Sequence, residues 1–192
     1  AMILACDLDE GNKTSLGVDI GTNTEIAIRK PGLSFLTSAS CASGPAFEGA
    51  HISDGMRAAS GAIEKVRITE TGVELTTIDD APAVGLCGSG IVDATAELYR
   101  SGLINHRGRF DQGNVRVGNG RFGAEFCLVP ASKSGSSRDV LITQMDVNEI
   151  QLAKGATHAG LQILLEATNT PPEAVDEVII AGAFGSFLNV QS

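Results

Sequence analysis

The sequence lacks the features of several large protein classes. It has no tryptophan, one tyrosine and only 4% aromatic residues, which leaves few side chains to stack on nucleic-acid bases. No run reaches the roughly 18 apolar residues that identify a membrane-spanning helix. The apolar residues 1–4 are followed at once by acidic residues, which is not the pattern of a signal peptide. We therefore expect a cytoplasmic protein that binds neither nucleic acid nor membranes.

Cysteines and basic residues are also few. The four cysteines, at positions 6, 41, 87 and 127, form no C-x-x-C pair, which excludes a zinc or iron–sulfur site with closely spaced ligands. Free buried thiols are expected, although a disulfide between distant positions stays open. Lys and Arg number 14 against 23 Asp and Glu, a net charge of −9, so phosphate backbones and anionic lipids do not attract the chain.

Glycine is the residue in excess. It occupies 23 of the 192 positions, well above the roughly 7% of an average protein. A composition with 43% hydrophobic and 19% charged residues is that of a globular chain, and the length suits one domain over residues 1–192. The glycines favour tight turns and close approach of backbones over aromatic packing.

The pattern of apolar residues predicts a mixed α/β domain. After an extended lead-in over residues 1–14, three short strands are predicted at 16–20, 25–28 and 33–37, in the order of an antiparallel meander. Asp146, followed by Glu149, is predicted to start a long helix. The other predicted elements are a helix near 47–59, a hairpin of 65–69 with 73–78, a helix over 91–99, a variable loop region over 103–139, a strand over 140–144 and a buried strand over 178–181.

The first candidate site is the segment DIGTNTE at residues 19–25. A carboxylate at a strand end is followed by a turn in which Gly21 lets a ligand approach the backbone closely. Thr22, Asn23 and Thr24 supply hydroxyl, amide and backbone donors that can cradle a phosphate. Asp19 is then placed to hold Mg²⁺ through water. An ordinary hairpin with a polar tip is the alternative, which spacing alone leaves open.

Two glycine-rich segments are further candidates. AGAFG at residues 181–185 follows the last predicted strand, where small residues let a nucleotide lie against the backbone, or simply let a strand pack on a helix. It is not a G-x-G-x-x-G fingerprint, so NAD binding is disfavoured. Gly88, Ser89 and Gly90 open a predicted helix, which can attract an anion or use Ser89 as its N-cap.

Isolated charged residues give weaker signals. Lys154 on the long predicted helix can reach a nucleotide or lie on a solvated face. The three histidines are isolated, so metal binding by histidine is not expected. Residues 100–121 contain five arginines against one aspartate, which suits docking of an acidic partner or a solvated loop. These arginines are Arg100, Arg107, Arg109, Arg116 and Arg121.

Nine short blocks of the sequence carry a resemblance to a known family. They lie at residues 19–25, 44–50, 55–58, 61–63, 87–93, 108–110, 143–146, 151–154 and 181–185. In type and order they are similar to the reductive activators of corrinoid proteins, which are ATP-dependent enzymes that return Co(II) corrinoid to Co(I) for methyl transfer. The resemblance covers nearly the whole chain.

The resemblance implies an α/β fold of the actin-like ATPase (ribonuclease H-like) class, in which two lobes clamp ATP and Mg²⁺. The chain matches the second lobe, a mixed sheet with a three-stranded antiparallel meander flanked by helices. The resemblance implies that Asp19 holds Mg²⁺ through water, and it names no catalytic residue. The implied phosphate-binding residues are Gly21, Thr22, Asn23 and Thr24. The implied adenosine-binding residues are Gly182, Ala183, Phe184, Gly185, Gln151 and Lys154.

Two parts of the family pattern are missing from the chain, namely the first-lobe hairpin and the iron–sulfur module. The resemblance therefore implies a fragment that works with that lobe, with that module and with a corrinoid protein of a methyltransferase system. Half of a clamp cannot enclose a nucleotide and exclude water, so we expect weak ATP binding and little hydrolysis from this chain alone. The alternative is a non-catalytic module for homodimerisation or for docking of the corrinoid protein, in which the arginine-rich segment would matter more than the hairpin.

Overall fold

The computed structural model describes Leu8, residues 12–33, residues 35–185 and Leu188. The chain divides into two compact units, Ala1–Gly44 with Ala153–Phe187 (the first unit) and Pro45–Leu152 with Leu188–Ser192 (the second unit). The prediction of a single domain over residues 1–192 stays a prediction. The structure shows in addition that the chain is divided into these two units. The predicted lead-in over residues 1–14 lies mostly outside the described residues.

Short strands outnumber helices among the described residues. In chain order the elements are β1 (Ser15–Asp19), β2 (Thr24–Arg29), β3 (Thr37–Cys41), β4 (Ala62–Ile68), β5 (Val73–Thr77), β6 (Gly85–Leu86), α1 (Gly88–Arg100), β7 (Gly118–Gly120), β8 (Gly123–Val129), β9 (Val140–Thr143), α2 (Gln144–Ala167), β10 (Glu177–Ala181) and α3 (Gly182–Gly185). Three 3₁₀ turns accompany them, at Pro45–Glu48, Ile78–Asp80 and Pro172–Ala174.

The first unit contains a four-stranded sheet in the order β10-β1-β2-β3. β1, β2 and β3 pair antiparallel, which confirms the predicted meander, and β10 pairs parallel to β1. The third strand was predicted at residues 33–37, which is wrong: Leu33 and Phe35 are exposed, and the strand follows at Thr37–Cys41. β10 forms where predicted but is not buried, since Val178 is 58% exposed.

One face of this sheet packs against α2. Leu16 and Val18 of β1 and Ile26 and Ile28 of β2 alternate onto that face and form a core with Leu164 of α2, as the two-residue period of a strand requires. Although α2 has 24 residues, no helix among the described residues is both long enough and apolar enough to cross a membrane.

Polar contacts fix both ends of α2. At its carboxyl end, the Lys30 ammonium donates to the carbonyl of Thr168 at 2.9 Å, where a cation also meets the negative end of the helix dipole. At its start, Thr143 and Asp146 bond reciprocally, and the Asp146 carboxylate accepts the amide of Thr143 at 2.8 Å. The prediction that Asp146 and Glu149 start the helix is therefore one turn too late, because Asp146 occupies the third helical position of a capping box.

The second unit contains two three-stranded sheets, β5-β4-β6 and β7-β8-β9. The predicted hairpin is confirmed as β4 paired antiparallel with β5. The predicted helix over residues 47–59 is wrong, because only the 3₁₀ turn Pro45–Glu48 forms there. His51 has a left-handed backbone (φ 65°), and Gly55 packs against the carbonyl of Gly49. A continuous helix allows neither arrangement.

Helix α1 covers one edge of β4. The carboxylate of Asp93 accepts the backbone amide of Val66 at 2.6 Å, and the carboxylate of Glu97 accepts that of Ile68 at 2.8 Å. These two amides lie beyond the short pairing with β6, which reaches only Ala62 and Ile63. The carboxylates of Asp93 and Glu97, one helical turn apart on α1, therefore accept hydrogen bonds from two β4 amides. Without them, these amides would need a longer neighbouring strand as a partner.

The described cysteines are all free thiols. Cys41 and Cys87 are buried, as expected, whereas Cys127 is exposed. Burial, with a smaller effect of Glu25, raises the pKa of Cys41. Although Cys127 is exposed as a residue, partial desolvation of its thiol raises its pKa, with smaller effects of Asp139 and Glu125. At neutral pH both thiols are therefore ionised to a smaller extent than a thiol in water, and the thiolate is the nucleophilic form.

Candidate functional site

Two strand ends of the first unit meet at one edge of its sheet. In the parallel pair of β1 and β10, Asp19 lies opposite Ala181, so Gly182 follows directly beside the Asp19 carboxylate. A Cβ at Gly182 would collide with Asp19 Oδ1, and the backbone of Gly182 has φ 84°. Glycine is thus required here both for its conformation and for the space it leaves.

The turn between β1 and β2 lies at the same edge. Thr22 and Asn23 at its tip are exposed, and Gly21 is half-buried. Thr24 is fully buried, and its hydroxyl lies 2.8 Å from that of Ser43. The residues Thr22 and Asn23 are therefore exposed at the surface, whereas the side chain of Thr24 faces the protein.

Ser43 and Gly44, directly after β3, hold this turn. The Ser43 hydroxyl donates to the carbonyl of Gly21 at 2.9 Å, and the Gly44 amide donates to the carbonyl of Thr22 at 2.9 Å. Sequence reasoning missed both contacts. Only Gly44 left a signal, because it precedes Pro45 in a typical turn pair.

A second carboxylate lies across from Asp19. Glu25 of β2 pairs with Asp19 in the antiparallel register, and its carboxylate accepts the Ser40 hydroxyl at 2.7 Å. Alternation places both carboxylates on the sheet face opposite to Val18 and Ile26. Among the described residues no group of three or more His, Cys, Asp or Glu side chains is arranged to hold a metal ion.

The remaining predicted site residues fall into both units. Phe184 and Gly185 of α3 are half-buried in the first unit, and the side chain of Ala183 lies outside the described residues. Lys154 is exposed on α2 in the first unit. Gln151 belongs to the second unit, where its side-chain amide packs against Gly108. The adenosine-binding role of these residues stays a prediction.

The segment of Gly88, Ser89 and Gly90 serves packing. Cys87, rather than Ser89, is the N-cap of α1, and the Ser89 hydroxyl lies 3.4 Å from the Cys87 thiol. A Cβ at Gly90 would collide with the carbonyl of Ile63 in β4. The glycine therefore permits close contact between helix and strand. The predicted N-cap role of Ser89 is wrong, and anion binding at this helix start stays a prediction.

Several arginines of the segment 100–121 have partners within the second unit. The Arg116 guanidinium donates to the carbonyl of Thr69 at 2.8 Å and stacks over Phe126. Arg121 stacks over the Phe122 ring, and Arg100 pairs with Glu97 at 3.4 Å. The contact of Arg116 fixes its loop to the β4–β5 hairpin, and all three contacts leave fewer of the five guanidinium groups for an acidic partner.

The contact between Gly182 and Asp19 predicts a large effect of Gly182→Ala. The new methyl group strains the backbone and displaces the carboxylate, which should cost about 2–4 kcal/mol in the free energy of unfolding. Gly32→Ala is the matched control, since Gly32 has φ 77° but nothing within 4 Å of a Cβ, and should cost about 1–2 kcal/mol. Urea unfolding of both variants measures the difference. Equal losses would show that Asp19 does not crowd Gly182.

Comparison with known proteins adds to this geometry. A family model described as "C-terminal domain of RACo the ASKHA domain" matches residues 13–192. The chain is 39% identical over 194 residues to "Corrinoid activation enzyme RamQ" of Eubacterium limosum. It is 29% identical over 213 residues to "[Co(II) methylated amine-specific corrinoid protein] reductase" of Methanosarcina barkeri. A solved "Reductive activator for corrinoid,iron-sulfur protein" superimposes with a TM-score of 0.90 at 41% identity.

These similarities cover nearly all of this chain but a minor part of each relative. They span 96% and 100% of the chain against 32% and 36% of the two curated relatives. For the solved structure they span 98% of the chain and 30% of the other protein. The chain thus corresponds to about a third of the length of these proteins.

Proposed function

Because this chain belongs to the family of RACo C-terminal ASKHA domains, we propose that it is the nucleotide-binding lobe of an ATP-dependent reductive activator. Membership confirms the actin-like fold expected from the sequence. The three relatives are all named for activation or reduction of corrinoid proteins. The substrate of the proposed activator is accordingly a Co(II) corrinoid protein of a methyltransferase system, which it returns to Co(I).

The observation that carries the proposal is the contact of Asp19 with Gly182. It brings the polar turn over residues 20–23 and the glycine-rich start of α3 to one edge of one sheet. Ligands of open α/β sheets bind at the carboxyl ends of parallel strands. In this proposal Gly21, Thr22 and Asn23 bind the phosphates, and the segment 182–185 with Lys154 contacts the adenosine. The adenosine contact of Gln151, which belongs to the second unit, stays an implication of the family resemblance.

The donor groups at this edge suit Mg²⁺ that arrives with the nucleotide. Asp19 offers half-buried carboxylate oxygens, and no cage of three or more acidic, His or Cys ligands exists among the described residues. Mg²⁺ typically keeps several waters and binds one or two carboxylates together with substrate phosphates. Asp19 would hold such an ion through water, and the bound ion would neutralise charge on the phosphates.

The electron in this proposal comes from outside the chain. A reduced iron–sulfur cluster in another module would supply the one electron that converts Co(II) into Co(I), and the cluster would be oxidised in return. The lobe described here contributes nucleotide binding, which biases a conformational equilibrium of the whole protein. Its proposed partners are the first lobe, the iron–sulfur module and the corrinoid protein.

A titration with Mg·ATP, followed by ¹⁵N–¹H NMR spectra of this chain, tests the assignment. The amides of residues 22–24 and 182–185 are expected to shift together and to saturate with one dissociation constant. The amide of Gly72, in the β4–β5 turn of the second unit, serves as the control that should not move. Of these two loops, adenosine alone should shift only residues 182–185.

The rival function, docking of a corrinoid protein or dimerisation, gives a different result in the same experiment. Saturating Mg·ATP would leave both loops unmoved, whereas a corrinoid protein would shift the amides of residues 100–121. That outcome would contradict the nucleotide-binding proposal. The internal contacts of Arg100, Arg116 and Arg121 favour the nucleotide-binding function.

A further inference from the structure

We propose that Ser43 and Gly44 form a clamp that aims the backbone amides of the β1–β2 turn at the ligand, so that Ser43 is a positioning residue of the phosphate site. This inference rests on the proposed function, because it concerns how the same site binds phosphate. The Ser43/Gly44 clamp belongs to neither of the two sequence segments considered for nucleotide binding.

The argument begins with the geometry of the peptide bond. A trans peptide is planar, so the carbonyl of one residue points opposite to the amide of the next; the described residues include no cis peptide. The carbonyls of Gly21 and Thr22 both point toward the clamp, with bonds of 2.9 Å from Ser43 Oγ and from the Gly44 amide. The amides of Thr22 and Asn23 must therefore point away from it.

Two neighbouring amides aimed to one side form a concave anion-binding arrangement. The residues that carry them, Thr22 and Asn23, are exposed, and the turn starts one residue after Asp19. In the clamp, Ser43 is buried, at only 6% exposed, and Gly44 is half-buried. Ligand and clamp thus lie on opposite sides of the same two peptide groups.

The hydrogen-bond directions make Ser43 the central member. Its hydroxyl has a single proton, which goes to the Gly21 carbonyl, so the Thr24 hydroxyl must donate in the 2.8 Å bond between Thr24 and Ser43. Thr24 is fully buried, and it acts on the turn through Ser43 rather than by contact with a ligand. Thr24 was predicted to bind the phosphate directly. In this proposal it supports the phosphate-binding turn instead.

Gly44 contributes through its backbone. It adopts φ 78° while nothing lies within 4 Å of a Cβ at this position, so the conformation, not the space, calls for glycine. This left-handed turn directs the Gly44 amide back toward Thr22. Ser43 is therefore the member of the clamp whose side chain can be removed without straining the backbone.

The test compares Ser43→Ala with Ser40→Ala in this chain. Ser40 lies on β3, and its hydroxyl donates to Glu25 instead of to the turn. Ser43→Ala should bind Mg·ATP about tenfold more weakly, should bind adenosine within twofold of the wild type, and should shift the ligand-free amides of Thr22 and Asn23. Ser40→Ala should match the wild type in all three measurements.

A comparison of the affinities for ATP and for adenosine distinguishes a positioning role of Ser43 from general destabilisation of the chain. The clamp is overturned if Ser43→Ala binds ATP as tightly as the wild type, or if it loses ATP and adenosine affinity in equal proportion. A wild-type chain that binds no Mg·ATP at all gives a different result, which overturns the proposed function and the clamp together.

Discussion

In the proposed full-length activator, Asp19→Asn is expected to lower ATP-dependent activation of a corrinoid protein by about 100-fold, the upper end of the usual cost of an outer-sphere metal contact. The substitution removes the charge at the end of β1 while it keeps the size of the side chain beside Gly182. The proposed Mg²⁺ site loses its one carboxylate, and the phosphates lose part of their charge neutralisation. Co(I) formation, followed by its absorbance, measures the effect.

Glu177→Gln is the matched control for this experiment. Glu177 lies at the other end of the β1–β10 pair, opposite Ser15, and forms an exposed ion pair with Lys13 at 2.8 Å. The pKa of Glu177 is lowered, first by the hydrogen bond from Lys13, so this pair stabilises the fold above the ordinary pKa of a glutamate and less as the pH falls. Activation should be unchanged at neutral pH, because surface ion pairs contribute little.

Wild-type activation by Asp19→Asn would contradict the phosphate-site assignment. So would equal loss of activation in Asp19→Asn and Glu177→Gln, since the two residues lie at opposite ends of the same pair of strands and only Asp19 lies at the proposed site. Circular dichroism on both variants checks that the sheet forms, because Asp19 is half-buried and is expected to tolerate an amide.

Gly90→Ala is expected to destabilise the second unit by about 3 kcal/mol or more. The added methyl group would collide with the carbonyl of Ile63, which also accepts the amide of Cys87 at 3.1 Å. Relief requires that α1 move away from β4, and this would break the bonds from Val66 to Asp93 and from Ile68 to Glu97. Thermal unfolding should begin roughly 6–12 °C lower.

Gly155→Ala is the same substitution at another position, and it is expected to have the opposite effect on stability. Gly155 lies in the interior of α2 with nothing within 4 Å of a Cβ, so alanine should stabilise by about 0.5–1 kcal/mol through its better helix propensity. Differential scanning calorimetry of both variants measures the pair. A Gly90→Ala variant that melts within 2 °C of the wild type, a margin of about half a kcal/mol, would mean that α1 does not depend on close approach to β4.

Local pattern predicted much of the fold, because most of its elements carry their own periodic signal. β1 and β2 alternate apolar residues around a polar turn, and α1 has apolar residues at helical spacing. β3 escaped prediction because its sequence, TSASC, has only Ala39 and Cys41 as apolar residues. It becomes a strand through pairing with β2, which aligns Ala39 with Ile26, and a single strand's composition does not contain that partner.

The candidate site was predictable only in part, for a similar reason. Asp19 and the segment 181–185 each stand at the end of a predicted strand, so their meeting follows if those strands pair in parallel. The sequence around Ser43 does not indicate its role, because its hydroxyl acts on carbonyls about 20 residues earlier in the chain. The helix predicted at residues 47–59 failed because the short-range pattern does not reveal the approach of Gly55 to Gly49.

The carboxylates along β4 also restrict how copies of this chain could associate. A strand from another molecule can extend a sheet only where backbone donors and acceptors are vacant. On β4 the amides of Val66 and Ile68 already bond to Asp93 and Glu97, while β5 occupies the opposite side. Two copies of this chain therefore cannot pair edge to edge through β4, and any homodimer must use other surfaces.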